Sequence, residues 1–325
     1  MKRRLLIPGA ALAGGALLWR GLHGPEPVPL RDRVVILTGA SSGIGRAAAH
    51  AFAAEGARLA LAARRGEALL SLAEELEDYG SPALAVPTDV RRDEDLAALV
   101  RRTLEAFGRL DVLVNNAGLS CGGPLPEQPP EQIRALLETN LYGPLRLTQM
   151  ALPVMLGQGA GHIVNVSSMA GQIAPPGMAA YAATRRALTF FSDALRRELD
   201  GTGIHVSTVL PTWTRTPMVQ RLEERAMRRA GALPAGERLD MPEVPATAIV
   251  DAVRYRRRTV LLGGLWMRSG YLGERLAPWL LDLYFRLGVD MAAFMAVVRG
   301  LGAQASGGRG GRAEQRPGAQ TPSPG

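Results

Sequence analysis

One stretch constrains the fold more than any other: an apolar run, Val34–Leu37, leads directly into Thr38-Gly39-Ala40-Ser41-Ser42-Gly43-Ile44-Gly45, and Ile44–Ala54 then carries helical apolar spacing. The first run reads as a buried strand and the last as an amphipathic helix. The glycines between them have separate physical uses. One turns the chain, one lets backbone amides approach a pyrophosphate, and one lets helix and sheet pack closely. The helix N-terminus then favours negative charge. Strand, glycine loop and helix in this order predict a nucleotide-binding α/β unit.

The middle of the chain repeats that alternation. Strands are expected at Val34–Leu37, Arg58–Ala62, Ala83–Val86, Val112–Val114, His162–Val166, His205–Leu210 and Thr259–Leu262. Helices are expected at Ile44–Ala54, Glu67–Tyr79, Glu94–Phe107, Pro130–Met155, Ala179–Leu199, Met218–Arg229 and Pro245–Tyr255. Strands joined by helix-length crossovers imply a single Rossmann-type, doubly wound parallel sheet of about seven strands with helices on both faces. We assign residues 31–264 to this domain, 265–302 to a C-terminal amphipathic helical extension, and 303–325 to a Gly/Pro/Ser-rich disordered tail.

Residues 1–30 form an apolar membrane-attachment segment and linker. Lys2, Arg3 and Arg4 precede the uncharged run Leu5–Trp19. As a helix that run would span about 22 Å, short of the ~30 Å hydrocarbon core. A short signal-anchor, a helix lying in the interface and a cleaved signal peptide all fit, and retained attachment to a membrane surface is favoured. The side of the membrane is unassigned; an interfacial segment would leave the domain cytoplasmic. In the extension, Trp266–Val298 is apolar but broken by charges at Glu274, Arg275, Asp282, Arg286 and Asp290. A helical pair packed on the domain or dipping into a membrane surface is expected.

The net charge of +8 comes almost wholly from arginine, Lys2 being the single lysine. No aromatic-interleaved basic groove accompanies it, so no nucleic-acid partner is expected. Cys121 is alone, which excludes an intrachain disulfide, and the four histidines lack metal-ligand spacing, so no metal is expected.

The later motifs give the loop a family context. Asp89-Val90 follows the third strand, Asn115-Asn116-Ala117-Gly118 the fourth, and Ser168 the fifth. Asn140 lies in a long helix, and Tyr181 comes 13 residues after Ser168. Over about Arg33 to Gly264 this order resembles the short-chain dehydrogenase/reductase family. The resemblance implies cofactor contacts from Gly39, Ser41, Ser42, Gly43, Ile44 and Gly45, from Asp89 and Val90 beside the adenine, and from Asn116, Ala117 and Gly118. It also implies contacts from Tyr181, Arg185 and, near the nicotinamide, Thr216. It further implies catalytic roles for Tyr181, Ser168, Asn140 and Arg185, and pairing into a homodimer through the helices bearing Asn140 and Tyr181. Pro211-Thr212 departs from the family's Pro-Gly after the sixth strand, which puts the local backbone in question.

Strand two ends Ala62-Ala63-Arg64-Arg65, with no carboxylate before Glu67. An NAD site usually places an acid there, about 20 residues beyond the glycine loop, to accept from the ribose 2′-hydroxyl. Arg64 can instead fork onto a 2′-phosphate. NADP(H) is therefore expected over NAD(H).

A free tyrosine, with a pKa of about 10, is a poor base at neutral pH unless a cation favours its phenolate. The family pairs Tyr with Lys one helical turn on; here Tyr181-Ala182-Ala183-Thr184-Arg185 substitutes arginine. Arg185 keeps the charge but cannot relay protons readily, which endangers the proton relay the family runs through Asn140. Two readings follow: an oxidoreductase interconverting carbonyl and alcohol with Tyr181 as acid/base, or an impaired NADP-binding protein that senses or scaffolds. The segments Leu119–Leu125, Gln172–Met178 and Trp213–Met241 should face substrate. Their apolar content, including Met178, Trp213, Met218, Met227, Leu233 and Met241, suits a small lipophilic molecule.

Overall fold

A computed structural model describes residues 26–219 and 239–302. The Leu5–Trp19 segment, nearly all of the helix expected at Met218–Arg229, Met227, Leu233 and the tail lie outside the described residues.

Seven strands, β1 (Val34–Thr38), β2 (Arg58–Ala63), β3 (Ala83–Pro87), β4 (Val112–Asn115), β5 (Gly161–Val166), β6 (Ile204–Leu210) and β7 (Thr259–Leu261), form one sheet. Their order is β3-β2-β1-β4-β5-β6-β7, and every pairing is parallel. The strand alternation divides the core. Val35, Leu37, Leu59 and Leu61 face α1 (Gly43–Ala54), α2 (Gly66–Asp78) and α8 (Glu243–Arg254). Ile36, Ala60, Leu113 and Ile163 face α3 (Asp93–Phe107), α5 (Gly143–Gln158) and α7 (Ala179–Glu198). Each such buried aliphatic side chain contributes about 1.5–3 kcal/mol, which fixes the strand register.

The chain winds outward from β1 to β3, then returns to place β4 on the other side of β1. This reversal opens a crevice at the C-terminal ends of β1 and β4, where open α/β sheets bind ligands.

Two expectations need correction. The helix expected at Pro130–Met155 is α4 (Pro130–Leu137) and α5 joined by a π-helical turn at Glu138–Tyr142. That turn, an insertion often found at functional sites, carries Asn140. The expected C-terminal pair is three helices, α9 (Leu265–Leu276), α10 (Pro278–Leu287) and α11 (Met291–Gly302). Pro278 forces the first break: it lacks an N–H and disfavours helix at the preceding residue, and Ala277 sits at φ −153°, ψ 67°. Among the described residues, no helix is long and apolar enough to cross a membrane.

Candidate active site

Thr38, at the end of β1, clamps the crevice. Its hydroxyl donates to the Val114 carbonyl at 3.2 Å and accepts from the amides of Asn116 and Ala117, both at 3.0 Å. Asn116 returns a hydrogen bond to the Thr38 carbonyl at 2.9 Å. Glycine is then required on steric grounds. A Cβ on Gly45 would lie 2.1 Å from the Gly39 carbonyl oxygen, and one on Gly39, whose φ is +69°, would lie 2.9 Å from the Ala117 Cα. Gly43 (φ +55°) sits equally close to Thr216, 2.9 Å from a Cβ to its methyl. The loop is therefore a cradle stripped of side chains, ending at the α1 N-terminus, whose first turn holds no acidic residue. This arrangement fits a dinucleotide pyrophosphate.

A cleft of about 440 Å³ runs from this cradle. Every expected cofactor residue, Gly39, Ser41, Ser42, Gly43, Ile44, Gly45, Arg64, Asp89, Val90, Asn116, Ala117, Gly118, Tyr181, Arg185 and Thr216, lines it, as does Ser168. Arg65 and Arg91, which the sequence reading passed over, line it too. Arg64 and Arg65 are both exposed, and the Arg65 guanidinium donates to the Ser41 hydroxyl at 3.0 Å, tying the end of β2 to the glycine loop. Arg91 bonds both Asp89 oxygens, at 2.9 and 3.1 Å from its Nε, and so holds that carboxyl below its ordinary range despite partial burial. Adjacency to Arg64 was the available signal for Arg65; the Asp89-Arg91 spacing carried none by itself.

At the far end, Tyr181 is 9% exposed and its hydroxyl has no hydrogen-bond partner among the described residues. Arg185, one turn on, places its guanidinium carbon 5.3 Å from the Tyr181 ring centroid. It is 5% exposed, donates from Nη1 to the Val166 carbonyl at 3.1 Å, and leaves its Nε buried without a partner. Gly118 makes room for this bulky group, since a Cβ there would lie 2.0 Å from Nη2. No carboxylate pairs with Arg185 among the described residues. A buried cation with an orphan donor is costly, by about 1–3 kcal/mol for the donor alone, unless a ligand answers it.

Ser168 stands two residues past β5, and its hydroxyl oxygen accepts the Ala170 amide at 3.1 Å, at the start of α6 (Ala170–Ile173). Asn140 does not reach the cleft surface. It is fully buried, accepts from the Leu119 amide at 2.8 Å, and donates to the Leu119 carbonyl and the Thr184 hydroxyl. The π-helical turn aims it inward, where it ties the Leu119 loop to the Tyr181 helix.

Thr212 accommodates the missing glycine without a positive φ, and its hydroxyl donates to Asp240 at 2.6 Å, which anchors the segment returning from Trp213. Of the residues expected to face substrate, Met218 lines the cleft, Met178 packs in one cluster with Tyr181, and Met241, 51% exposed, does not line the cleft. Burial pushes the Cys121 thiol up, which keeps it protonated and unreactive.

Residues 33–226 match the family model for short chain dehydrogenases. Over 265 residues the chain is 36% identical to dehydrogenase/reductase SDR family member 7B of Danio rerio, covering 79% of this chain and 85% of that one. It is 37% identical over 222 residues to the 3-oxoacyl-[acyl-carrier-protein] reductase FabG of Thermotoga maritima, covering 68% and 90% of the two chains. The crystal structure of a 3-ketoacyl-(acyl-carrier-protein) reductase from Brucella melitensis, complexed with NADH, superposes with a TM-score of 0.66 at 28% identity, over 72% of this chain and 97% of that one. A glycine cradle at the β1–β4 reversal, a phenol beside a buried cation, and these likenesses over most of the chain agree: the protein belongs to the short-chain dehydrogenase/reductase family of oxidoreductases.

Proposed function

We propose that the chain is an NADP(H)-dependent reductase, or the reverse dehydrogenase, that interconverts a carbonyl and an alcohol on a small apolar molecule. The observation that carries this is the unpartnered Tyr181 hydroxyl on the wall of the glycine-cradled cleft, with the Arg185 guanidinium against its ring. A nicotinamide bound there supplies or accepts the hydride. Tyr181 gives its proton to the carbonyl oxygen as that oxygen becomes an alcohol, and takes one back in the reverse direction. Ser168 donates a hydrogen bond to the same oxygen and fixes its position. The Arg185 charge stabilises the phenolate that Tyr181 leaves behind, and its Nε donor suits a ribose hydroxyl. Asn140 positions the Leu119 loop and the Tyr181 helix. Proton exchange with solvent then has to avoid the guanidinium, so slow turnover is expected.

The absence of a carboxylate at the end of β2, with Arg64, Arg65 and Arg91 around that rim, supports NADP(H) over NAD(H). Attachment to a membrane surface through Leu5–Trp19 is part of the same reading, as is a homodimer pairing through α5 and α7, on which Leu156 and Phe190 are exposed. The test measures NADPH oxidation at 340 nm with a panel of apolar ketones for wild type, Tyr181→Phe and Arg185→Lys. Wild type should turn over, Tyr181→Phe should lose about 10²–10⁴-fold in kcat, and Arg185→Lys should gain. Wild type no faster than Tyr181→Phe, with activity appearing only in Arg185→Lys, would overturn the reading in favour of cofactor binding without turnover.

A further inference from the structure

Ser168 is followed by α6, a helix of only four residues. So short a helix does not hold itself, since isolated helices below ~12–15 residues are marginal in water. Contacts with α7 hold it instead. A Cβ on Gly171 would lie 2.8 Å from both Arg185 Cβ and the Arg186 amide nitrogen, so α6 sits flush on α7 beside Arg185. Gln172, which opens a segment expected to face substrate, is buried and does not line the cleft. Its amide lies between two α7 side chains. The Arg186 guanidinium donates to Gln172 Oε1, and Gln172 Nε2 donates to the Thr189 hydroxyl at 3.2 Å. Thr189 donates in turn to Ser167 Oγ at 3.1 Å, and Ser167 donates to the Arg185 carbonyl at 2.7 Å. One end imposes this direction. A guanidinium has only donors, so it meets the Gln172 oxygen; the nitrogen then faces Thr189, whose proton is left for Ser167. Ser167 stands between Ser168 and Val166, and the Val166 carbonyl takes the Arg185 guanidinium at 3.1 Å. The strand end that carries Ser168 is therefore latched to residue 185 twice, through main chain and through side chain.

We propose that Gln172 is a positioning residue for the reaction: oriented by Arg186, it acts through Thr189 and Ser167 to hold Ser168 in register with Tyr181 and Arg185. Gln172, Arg186 and Thr189 lie outside the cleft lining, so they reach the reacting groups only through Ser167 and its neighbours. Their leverage is geometric. A displacement of about 1 Å in a group that orients the reacting oxygen can cost about 10²-fold in rate. Without the Gln172 amide, the Thr189 and Ser167 hydroxyls are free to turn, and the main-chain half of the latch loosens. This rests on the reductase reading above, and it extends that reading from the cleft wall to the seam between α6 and α7.

The experiment measures single-turnover oxidation of NADPH at 340 nm on the full chain, with cyclohexanone or whichever ketone of the panel above reacts faster. Gln172→Met, close in shape but without the amide, should slow the hydride step and kcat about tenfold. KM for the ketone and NADPH affinity, read by cofactor fluorescence, should stay within about twofold of wild type. Thr189→Val, which replaces the hydroxyl with a methyl, should fall as far, and Thr189→Ser, which keeps the hydroxyl, should restore the wild-type rate. Because both residues act along one route, Gln172→Met/Thr189→Val should be no slower than the slower single variant. Wild-type single-turnover rates in folded, NADPH-binding Gln172→Met and Thr189→Val overturn the proposal, even if both melt at lower temperature. So do losses that multiply in the double variant, or a loss that Thr189→Ser shares. If wild type is inert while Arg185→Lys is active, the reductase reading of this chain fails instead. The latch ends on the main-chain carbonyl of residue 185, so the same variants made in Arg185→Lys then decide the proposal by the same results.

Discussion

At the cofactor end of the cleft there is no room for a Cβ: Gly39 and Gly45 abut the main chain of Ala117 and Gly39, and Gly43 abuts the Thr216 side chain. At the substrate end, side chains fill the space, with Met178, Tyr181, Phe294 and Val298 brought together from elements far apart in sequence. The first arrangement dictates residue identity, because no other residue has glycine's shape. The second dictates only summed volume, which many apolar combinations satisfy. Tolerance should therefore differ sharply between the two ends. Gly45→Val tests the intolerant one. Its side chain would overlap the Gly39 carbonyl, so the loop must open and cofactor affinity should drop beyond a hundredfold in a fluorescence titration, with thermal stability also lowered. An affinity within threefold of wild type would show that the cradle is not where the cofactor sits.

The same asymmetry explains what the sequence revealed. All seven strands were legible within about a residue or two at their ends, because a parallel sheet buried on both faces leaves short continuous apolar runs. The glycines at the β1–β4 reversal were legible because loop geometry imposes them, whereas Tyr181 was placed by the family resemblance, in which it follows Ser168 by 13 residues. The packing of α11 was not legible. Nothing local in Val298 says that Gly122, far upstream, was left bare to receive it. Asn140 was located but its surroundings were not, since the π-helical turn that aims it inward has no compositional mark.

The β1–β4 seam that carries the cofactor end is pinned at its opposite edge by Asp111. Burial pushes this carboxyl up, but hydrogen bonds from Arg109, the Val34 amide and Arg33 outweigh burial and leave it below its ordinary value. A depressed folded pKa contributes stability that is present above the unfolded value of about 4 and lost as pH falls through the folded one. Asp111→Asn should therefore cost about 1–3 kcal/mol in urea unfolding at pH 7, and the gap should close on acidification below pH ~4. A gap that persists undiminished at low pH would mean shape, not charge, holds the seam.

A subtler contrast lies within the cofactor end. Both arginines are exposed, but Arg65 is tied to the Ser41 hydroxyl whereas Arg64 makes no hydrogen bond to the loop. The preorganised cation should discriminate more, since less side-chain freedom is lost when a 2′-phosphate arrives. We expect Arg65→Ala to reduce the ratio of NADPH to NADH affinity about tenfold, the size of one charge-assisted hydrogen bond. Arg64→Ala should reduce it less. The reverse order would return the discriminating role to the residue that the strand-end position first suggested.

The smallest effect concerns the outside of the substrate end. While α11 turns Phe294, Val297 and Val298 inward, α9 and α10 bury Met267 and Leu281 but leave other apolar residues in solvent: Leu276 is 75% exposed, Trp279 63% and Leu287 74%. Trp279, Leu283 and Leu287 recur every four residues and so share one side of α10. Arg268, Arg275 and Arg286 are exposed on the same two helices. Apolar side chains beside cations suit an anionic bilayer surface, which would add a second contact to the one expected from Leu5–Trp19. Trp279→Glu with Leu287→Glu should weaken co-sedimentation with anionic vesicles a few-fold at low salt, about 1 kcal/mol, whereas removing residues 1–25 should weaken it more. The sharper signature is salt. If these helices touch lipid, the partitioning that survives removal of residues 1–25 should decline as ionic strength rises and vanish in the double variant. Residual binding identical in both proteins would leave the α9–α10 face without a lipid role and confine attachment to the N-terminal segment.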